Sequence, residues 1–542
     1  MTEEKKTEDA VKTMIHAGSD ANRGRPVTDP AEISKLWDET FSPENLKLLF
    51  NSKVKCRKNG TPKKSVGLDF VTVKKFEEDL DNNLDIIIRK VKNQSYHFTR
   101  YKLILALKGP GKAPRELRLP TVRDRVTLAA MGEFARRVLG AKCELPAGRK
   151  IISDIMKQRK NFTGYVKTDI SSFFKSIPHD KLIDMMNRKF IHPGIVGLFV
   201  NSITTGALIH PQTSTFNPKQ KKDTGIPEGL SYSSFVANAY LEDLDSEFEN
   251  IPEIRYYRFV DDILILADRN NTGKYRKMLE CSIAARGLSL SADKTTDDSE
   301  NLDFDYLGYS FKGDTVSIRD SSVAKIQQSL AEAVKMIAIK LKTKLEKYRK
   351  KYKGEELENI EKFVKSAAIT ELNQKITGFR MGGIYYSWMS YYRNINDYSL
   401  LGRLDAIVKK HLKKYGVDEY ITPKKYIKTM NELVHNPETS YIPDFSCMKN
   451  FISDSVNSEN SRKEPVEFEV SNTLVAEIAV SLGWTRESHE SKNDYFEYAL
   501  SLAAKAGFEF SFSDGKILFD KNKFKRAVIK GLNKSIAEEK GL

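Results

Sequence analysis

The sequence predicts an α+β fold, and three observations carry that prediction. Short apolar runs with strand-like alternation recur at 101–106, 165–169 and 256–266, rich in the β-branched and aromatic residues that suit a pleated surface. Helical patterns fill the stretches before about residue 95 and after about residue 321. Two of the apolar runs also carry acids that a core does not hold unpaired: Asp261 and Asp262 interrupt Tyr256–Leu266, and Asp169 ends Tyr165–Asp169. A hairpin turn that exposes the pair, or a salt bridge to a nearby Arg or Lys, is the plain reading, as a polar run suffices for Asp297 and Asp298. The chemical reading is a divalent-cation site, in which hard carboxylate oxygens hold Mg²⁺ and water or substrate phosphates complete the shell.

Composition bounds the partners. With 542 residues the chain has room for about three or four domains of about 150 residues each. Its 40% hydrophobic content is ordinary for a soluble protein, whereas a net charge of +16 beside 10% aromatic residues favours a polyanion, most simply nucleic acid, over a merely basic surface. Cys56, Cys143, Cys281 and Cys447 stand far apart, form no Cys-x-x-Cys pair and share no ligand spacing with the eight histidines, which argues against zinc. A reducing cytoplasm and no membrane partner are expected, since Met1–Lys6 lacks the apolar core of a signal peptide and no run is long enough to span a bilayer.

Between the two acidic runs lies Gly225-Ile226-Pro227-Glu228-Gly229-Leu230-Ser231, followed by the helix-like Ser234–Leu241. In this order and spacing the three stretches resemble the palm of reverse transcriptases. Phe259-Val260-Asp261-Asp262 is similar to the family's aromatic-x-Asp-Asp box, Asp169 to its first metal-binding strand, and 225–231 to its Pro-Gln-Gly segment. The resemblance covers roughly 100–415 and implies a right-hand polymerase. Its implied parts are fingers and palm (96–315) and a helical thumb (316–415); outside them an N-terminal extension (1–95) and a small C-terminal binding or assembly module (416–542) are expected.

Taken in order, residues 1 to about 28 are polar and expected to be mobile. Asp29-Pro30-Ala31-Glu32 reads as a helix start, with Asp29 as cap, Pro30 at the first helical position and Glu32 reaching back. Tyr101–Ala106 and Leu117–Leu119 are expected to pair across Gly109–Pro114, a loop without the spacing of a phosphate-binding loop. This hairpin with its Lys108, Arg115 and Arg118 looks like the family's grip on the incoming triphosphate, where cations offset phosphate charge. Each of the three has a second reading as surface charge, and Glu116 and Arg118 stand where the intron-encoded pattern has Pro and Gly.

Phe174 stands where the family places the bulky residue that crowds the sugar 2′ position, so the resemblance implies selection of deoxynucleotides; the plain reading makes Phe173 and Phe174 core aromatics. Glu228 replaces the family's usual Gln, and a carboxylate cannot donate the amide's hydrogen bonds. Gly287–Thr295 matches the family's lysine-bearing segment, making Lys294 either a proton donor near pyrophosphate or a surface lysine. Phe304–Phe311 resembles the hairpin that grips the primer, with Gly308 permitting close backbone approach. The cationic run that includes Lys340, Lys344, Lys347, Arg349 and Lys350 is a solvated face or, in a thumb, a surface along a nucleic-acid backbone. Tyr385, Tyr386, Trp388, Tyr391 and Tyr392 look like the thumb of group II intron-type bacterial enzymes and are expected mainly to pack its helices. Farther on, a hairpin over 508–519 and a basic helix over 521–540 are expected.

The resemblance implies Asp169, Asp261 and Asp262 as catalytic acids, the metal set being completed by Ile170, with two Mg²⁺ ions, or Mn²⁺ as substitute, roughly 3.5–4 Å apart. Val260 is expected under the primer end. The implied activity is RNA-directed DNA synthesis from dNTPs on an RNA template or structured non-coding RNA, with a DNA product and room for a homo-oligomer. Within the family the chain looks most similar to bacterial defence-associated enzymes of the unknown and abortive-infection groups, which act against phage. A group II intron maturase acting as an RNA-binding splicing factor, and a template-independent or protein-primed DNA polymerase, are the alternatives; an RNA-directed RNA polymerase is disfavoured by Phe174.

Overall fold

The structure is a computed structural model that describes residues 26–55, 65–106, 114–144, 147–209, 223–297, 302–381, 384–435, 441–444, 467–468, 492–508, 511–513, 516–518 and 521–539. The chain divides into two units, 1–302 and 303–542. The polar N-terminal residues up to Arg25, the loop residue Lys108, and Cys56 and Cys447 lie outside the described residues.

The first unit opens with α1 (Pro30–Thr40) and α2 (Pro43–Leu49). Pro30 stands in the first turn of α1 and Asp29 caps it, Oδ1 accepting from the Ala31 N–H at 3.3 Å, while Glu32 stays exposed instead of reaching back. After α3 (Val73–Glu77) and α4 (Leu80–Lys92) come β1 (Tyr101–Ala106), β2 (Arg115–Leu119) and α5 (Val122–Leu139). Leu46, Phe50, Phe76 and Ile87 join α5 in one core, and α5 is buried on almost every side, as its run of Val126–Gly132 apolar and small residues demands. The expected hairpin is present, antiparallel from Lys102↔Leu119 to Ala106↔Arg115.

Next in the chain are α6 (Gly148–Gln158), β3 (Gly164–Asp169), α7 (Phe173–Ser176), α8 (His179–Phe190), α9 (Pro193–Thr204), β4 (Ala207–Leu208), α10 (Ser233–Tyr240), α11 (Glu242–Glu249), β5 (Arg255–Phe259), β6 (Asp262–Ala267), α12 (Thr272–Ala285) and β7 (Thr296–Asp297). Four of these strands form a sheet in the order β5-β6-β3-β7. The apolar run 256–266 is therefore not one interrupted strand. It folds back on itself, with Phe259 paired to Asp262 and Val260-Asp261 left as a two-residue turn. Ile263 to Ala267 are fully buried, the unbroken apolar stretch expected of a central strand covered on both faces.

The second unit begins with β8 (Phe304–Tyr306), β9 (Tyr309–Lys312) and β10 (Thr315–Ile318), a three-stranded meander. Leu307 and Gly308 turn β8 into β9 with φ of 47° and 84°, and a Cβ on Gly308 would meet the Tyr392 hydroxyl at 2.8 Å. Two long helices follow, α13 (Asp320–Lys351) and α14 (Gly354–Thr377); α13 buries the stripe Ile326, Leu330, Val334, Ile337, Leu341 and Leu345. The aromatics of this region pack as expected: Phe379 stacks on Tyr386 at 5.2 Å, and Trp388 lies 5.7 Å from Tyr426. The order closes with β11 (Phe379–Met381), β12 (Ile384–Tyr386), α15 (Tyr398–Lys414), α16 (Tyr426–His435), β13 (Glu467–Phe468), α17 (Lys492–Lys505), β14 (Ser511–Ser513), β15 (Lys516–Leu518) and α18 (Lys521–Glu539). The C-terminal hairpin pairs Ser511↔Leu518 to Ser513↔Lys516, with β13 on its other edge.

Candidate active site

Antiparallel pairing of β3 with β6 runs from Gly164↔Ala267 to Asp169↔Asp262, so the strand register sets two of the three acids side by side. The third, Asp261, sits in the turn, its carbonyl accepting from the Ile170 N–H at 3.0 Å. Val260 has φ of 61° while Asp261 stays at negative φ, the sign pattern of a type II′ turn, whose first central position prefers glycine. A β-branched residue there costs on the order of 1–3 kcal/mol, so the surroundings must hold the turn in this shape. On the far side, the Ser171 N–H donates to the Ser289 carbonyl at 2.8 Å and the Ser291 N–H to the Asp169 carbonyl at 2.9 Å, which docks the 289–291 strand segment and the Lys294 turn against Asp169.

The carboxylates are electrostatically uncomfortable. Burial, then the neighbouring Asp261 and Asp169, raise Asp262 to about 6, with Lys167 and Lys294 opposing. Asp261 is raised too, chiefly by burial and further by Asp169, against its own backbone hydrogen bond and the charges of Lys294 and Arg115. Asp169 is buried; its Oδ2 accepts from the Lys294 ammonium, and its Oδ1, also buried, accepts no hydrogen bond. Among the described residues no three His, Cys, Asp or Glu side chains are gathered tightly enough to hold an ion as they stand. The donor set nonetheless suits a divalent cation: hard oxygens, one of them orphaned, and two carboxylates whose charged form burial disfavours. The counter-charge now on Asp169 is a lysine whose side chain is 67% exposed, and a flexible surface ammonium is displaceable where a buried arginine would not be.

Around the acids the other expected residues take distinct positions. Phe173 is in the core and Phe174 is half-buried beside it, ring centroids 5.5 Å apart, so the adjacent aromatics divide between packing and an accessible position. Arg115 Nε lies 2.9 Å from the Glu228 carboxylate, and Arg118 is turned inward, donating from Nη1 to the Thr205 carbonyl at 2.8 Å, its pKa lowered by burial. The Arg118 N–H donates to the Glu228 carbonyl at 3.1 Å, tying the 225–231 segment to β2. In the second unit, Lys340 pairs with Glu371 at 2.8 Å and Arg349 with Glu361 at 2.6 Å, both on α14; Lys347 and Lys350 are exposed, and Lys344 is half-buried.

Arg258 carries no role in the sequence pattern but a defined one in the fold. Its side chain is 6% exposed, and its Nε donates to Asp245 Oδ1 at 2.6 Å while Nη2 donates to Asp245 Oδ2. Its Nη1 donates to Asn238 Oδ1 at 2.8 Å and to the Val260 carbonyl at 2.9 Å. A charged residue inside a run of aromatics and aliphatics, three places before the acids, is a visible signal of such a buried network.

Comparisons with known proteins bear on this geometry. Residues 68–311 match the family model of reverse transcriptase (RNA-dependent DNA polymerase). An uncharacterised 91 kDa protein in the cob intron of Schizosaccharomyces pombe is 31% identical over 180 residues, 31% of this chain and 21% of that protein. The COX1/OXI3 intron 2 protein of Saccharomyces cerevisiae is 24% identical over 255 residues, 41% of this chain and 27% of that protein. The chain thus spans under a third of the length of either relative. Among solved structures, a Candida albicans telomerase in complex with a fragment of telomeric RNA is 12% identical with a TM-score of 0.37, over 64% of this chain and 68% of that one. The matched segment takes in β3, the 225–231 segment and the β5–β6 turn with all three acids, and residues 68–311 are accordingly a reverse transcriptase domain with the α+β polymerase fold.

Proposed function

We propose that the chain is an RNA-directed DNA polymerase that extends a primer with dNTPs. One observation carries the reading: within a reverse transcriptase domain, Asp169 stands opposite Asp262 in the strand register, and Asp261 is in the adjoining turn. Asp169, Asp261 and Asp262, with Ile170 beside them, would hold Mg²⁺; the bound ions supply Lewis-acid activation of the primer hydroxyl and charge for the departing pyrophosphate. Lys294, whose ammonium now donates to Asp169, is the proton-bearing side chain nearest the acids and would serve as a donor to the leaving group. Arg115 offsets triphosphate charge from the β2 edge, and the accessible ring of Phe174 crowds a 2′-hydroxyl.

For the biological setting, both relatives are intron proteins, which supports the maturase reading over phage defence. The test of the chemistry is primer extension on an RNA template with dNTPs and Mg²⁺. Asp261→Asn and Asp262→Asn abolish extension while RNA binding, followed by fluorescence anisotropy, stays near wild type; synthesis by either variant ends the proposal. The intron reading requires the gene to lie in an intron whose splicing fails when the protein is lost.

A further inference from the structure

We infer that Arg258 is a positioning residue for the acidic turn: its guanidinium, anchored on Asp245 and Asn238, fixes the Val260 carbonyl and so holds Asp261 and Asp262 in the shape that receives divalent cations. The inference rests on the polymerase reading above and adds to it a residue outside the ligand set. Its physical basis is the mismatch at Val260. A valine does not choose φ of 61°, and a two-residue turn with that residue at its first central position relaxes unless something restrains it.

The restraint is a charged donor with no freedom of its own. Both oxygens of Asp245, on α11, are taken by Arg258, and Tyr256 Oη adds a third donation to Oδ1 at 3.0 Å. Asn238, on α10 and 5% exposed, is fixed in turn by donating from Nδ2 to the Cys143 carbonyl at 3.1 Å. The guanidinium therefore links two helices to one carbonyl of the turn, in a buried site where bidentate, charge-assisted bonds are strongest. Lysine has no planar fork and cannot span the three partners.

The experiment uses the full chain and three readouts: thermal unfolding, Mn²⁺ binding without nucleotide, measured from the free-ion electron paramagnetic resonance signal, and dNTP extension kinetics. Removing Arg258 alone would leave the half-buried Asp245 carboxylate without its counter-charge, so the main variant replaces the pair by apolar side chains, Arg258→Met with Asp245→Leu, a change that such ion pairs often tolerate. A cooperative unfolding transition with Mn²⁺ affinity weakened about 10–100-fold, and kcat reduced more than the KM for dNTP rises, is expected. Adding Val260→Gly, which adopts positive φ without strain, restores much of the lost Mn²⁺ affinity. A folded double variant with wild-type Mn²⁺ affinity, or a loss that Val260→Gly leaves untouched, overturns the inference. Should the double variant not fold, Arg258→Lys decides: weakened Mn²⁺ binding in a folded protein supports the clamp, and wild-type binding removes it. Wild-type protein that neither binds Mn²⁺ nor extends a primer overturns the polymerase reading instead.

Discussion

At the scale of single residues, Asp262 is the carboxylate whose surroundings matter most. Its value of about 6 lies above the ordinary 3.8 because burial and two neighbouring acids disfavour its charge. The sign follows: without metal, the folded state holds this proton more tightly than the unfolded chain, so the group's contribution to stability falls as pH rises from about 4 to about 6. In EDTA, Asp262→Asn should gain stability over wild type across that window, and Mg²⁺ affinity of the wild type should weaken about tenfold per pH unit below 6, as one proton competes. Mg²⁺ titrations that are flat between pH 5 and 7 would refute the assignment. Arg115 and Glu228 make a second test. The carboxylate competes with triphosphate for a half-exposed guanidinium, and such pairs contribute about 0.2–1 kcal/mol, so Glu228→Gln should lower the KM for dNTP by no more than about fivefold. A higher KM would mean that Glu228 itself touches the nucleotide. Phe174→Ala should raise ribonucleotide incorporation in primer extension, and unchanged discrimination would show the ring to be packing alone.

At the scale of elements, the sequence was most legible where a period or a cap acts locally. The α13 stripe, the Asp29 cap and the β1–β2 hairpin follow from spacing of neighbours along the chain. The run 256–266 was harder, because β-prone residues on both sides of the acids are as compatible with one interrupted strand as with a hairpin whose return strand is central; only the pairing Phe259↔Asp262 decides. Arg258 belongs to the same class, visible as an anomaly but without an evident partner until α10 and α11 were in place. In the second unit, α17 and α18 pass so closely that a Cβ on Gly531 would fall 1.8 Å from the Leu502 carbonyl oxygen. Gly531→Ala should therefore push the helices apart, at a cost of about 1–3 kcal/mol, and expose 492–539 to limited proteolysis faster than wild type. Wild-type resistance would show that this crossing is looser.

At the scale of the whole molecule, a net charge of +16 makes affinity for nucleic acid strongly salt-dependent if the basic helix α13 follows a phosphate backbone. Lys347 and Lys350 face solvent, whereas Lys340 and Arg349 are engaged by α14 acids, so the cationic run divides into exposed and ion-paired members. Lys347→Glu with Lys350→Glu should flatten the slope of log affinity for RNA against log salt by about one per residue. Lys340→Ala should act on thermal stability first; slopes unchanged in the former and changed only in the latter would reverse the division. Sequence by itself determined the alternation of helix and sheet, the identity of the three acids and the basic character of the chain, because periodicity, charge and residue chemistry are local properties. Tertiary structure alone decided that Asp169 lies opposite Asp262, that Lys294 sits on Asp169, that Glu228 faces Arg115 and that Arg258 grips the acidic turn. Those contacts join segments far apart in the chain, and strand register with close packing, which no local pattern encodes, selects among the many partners each residue could have had.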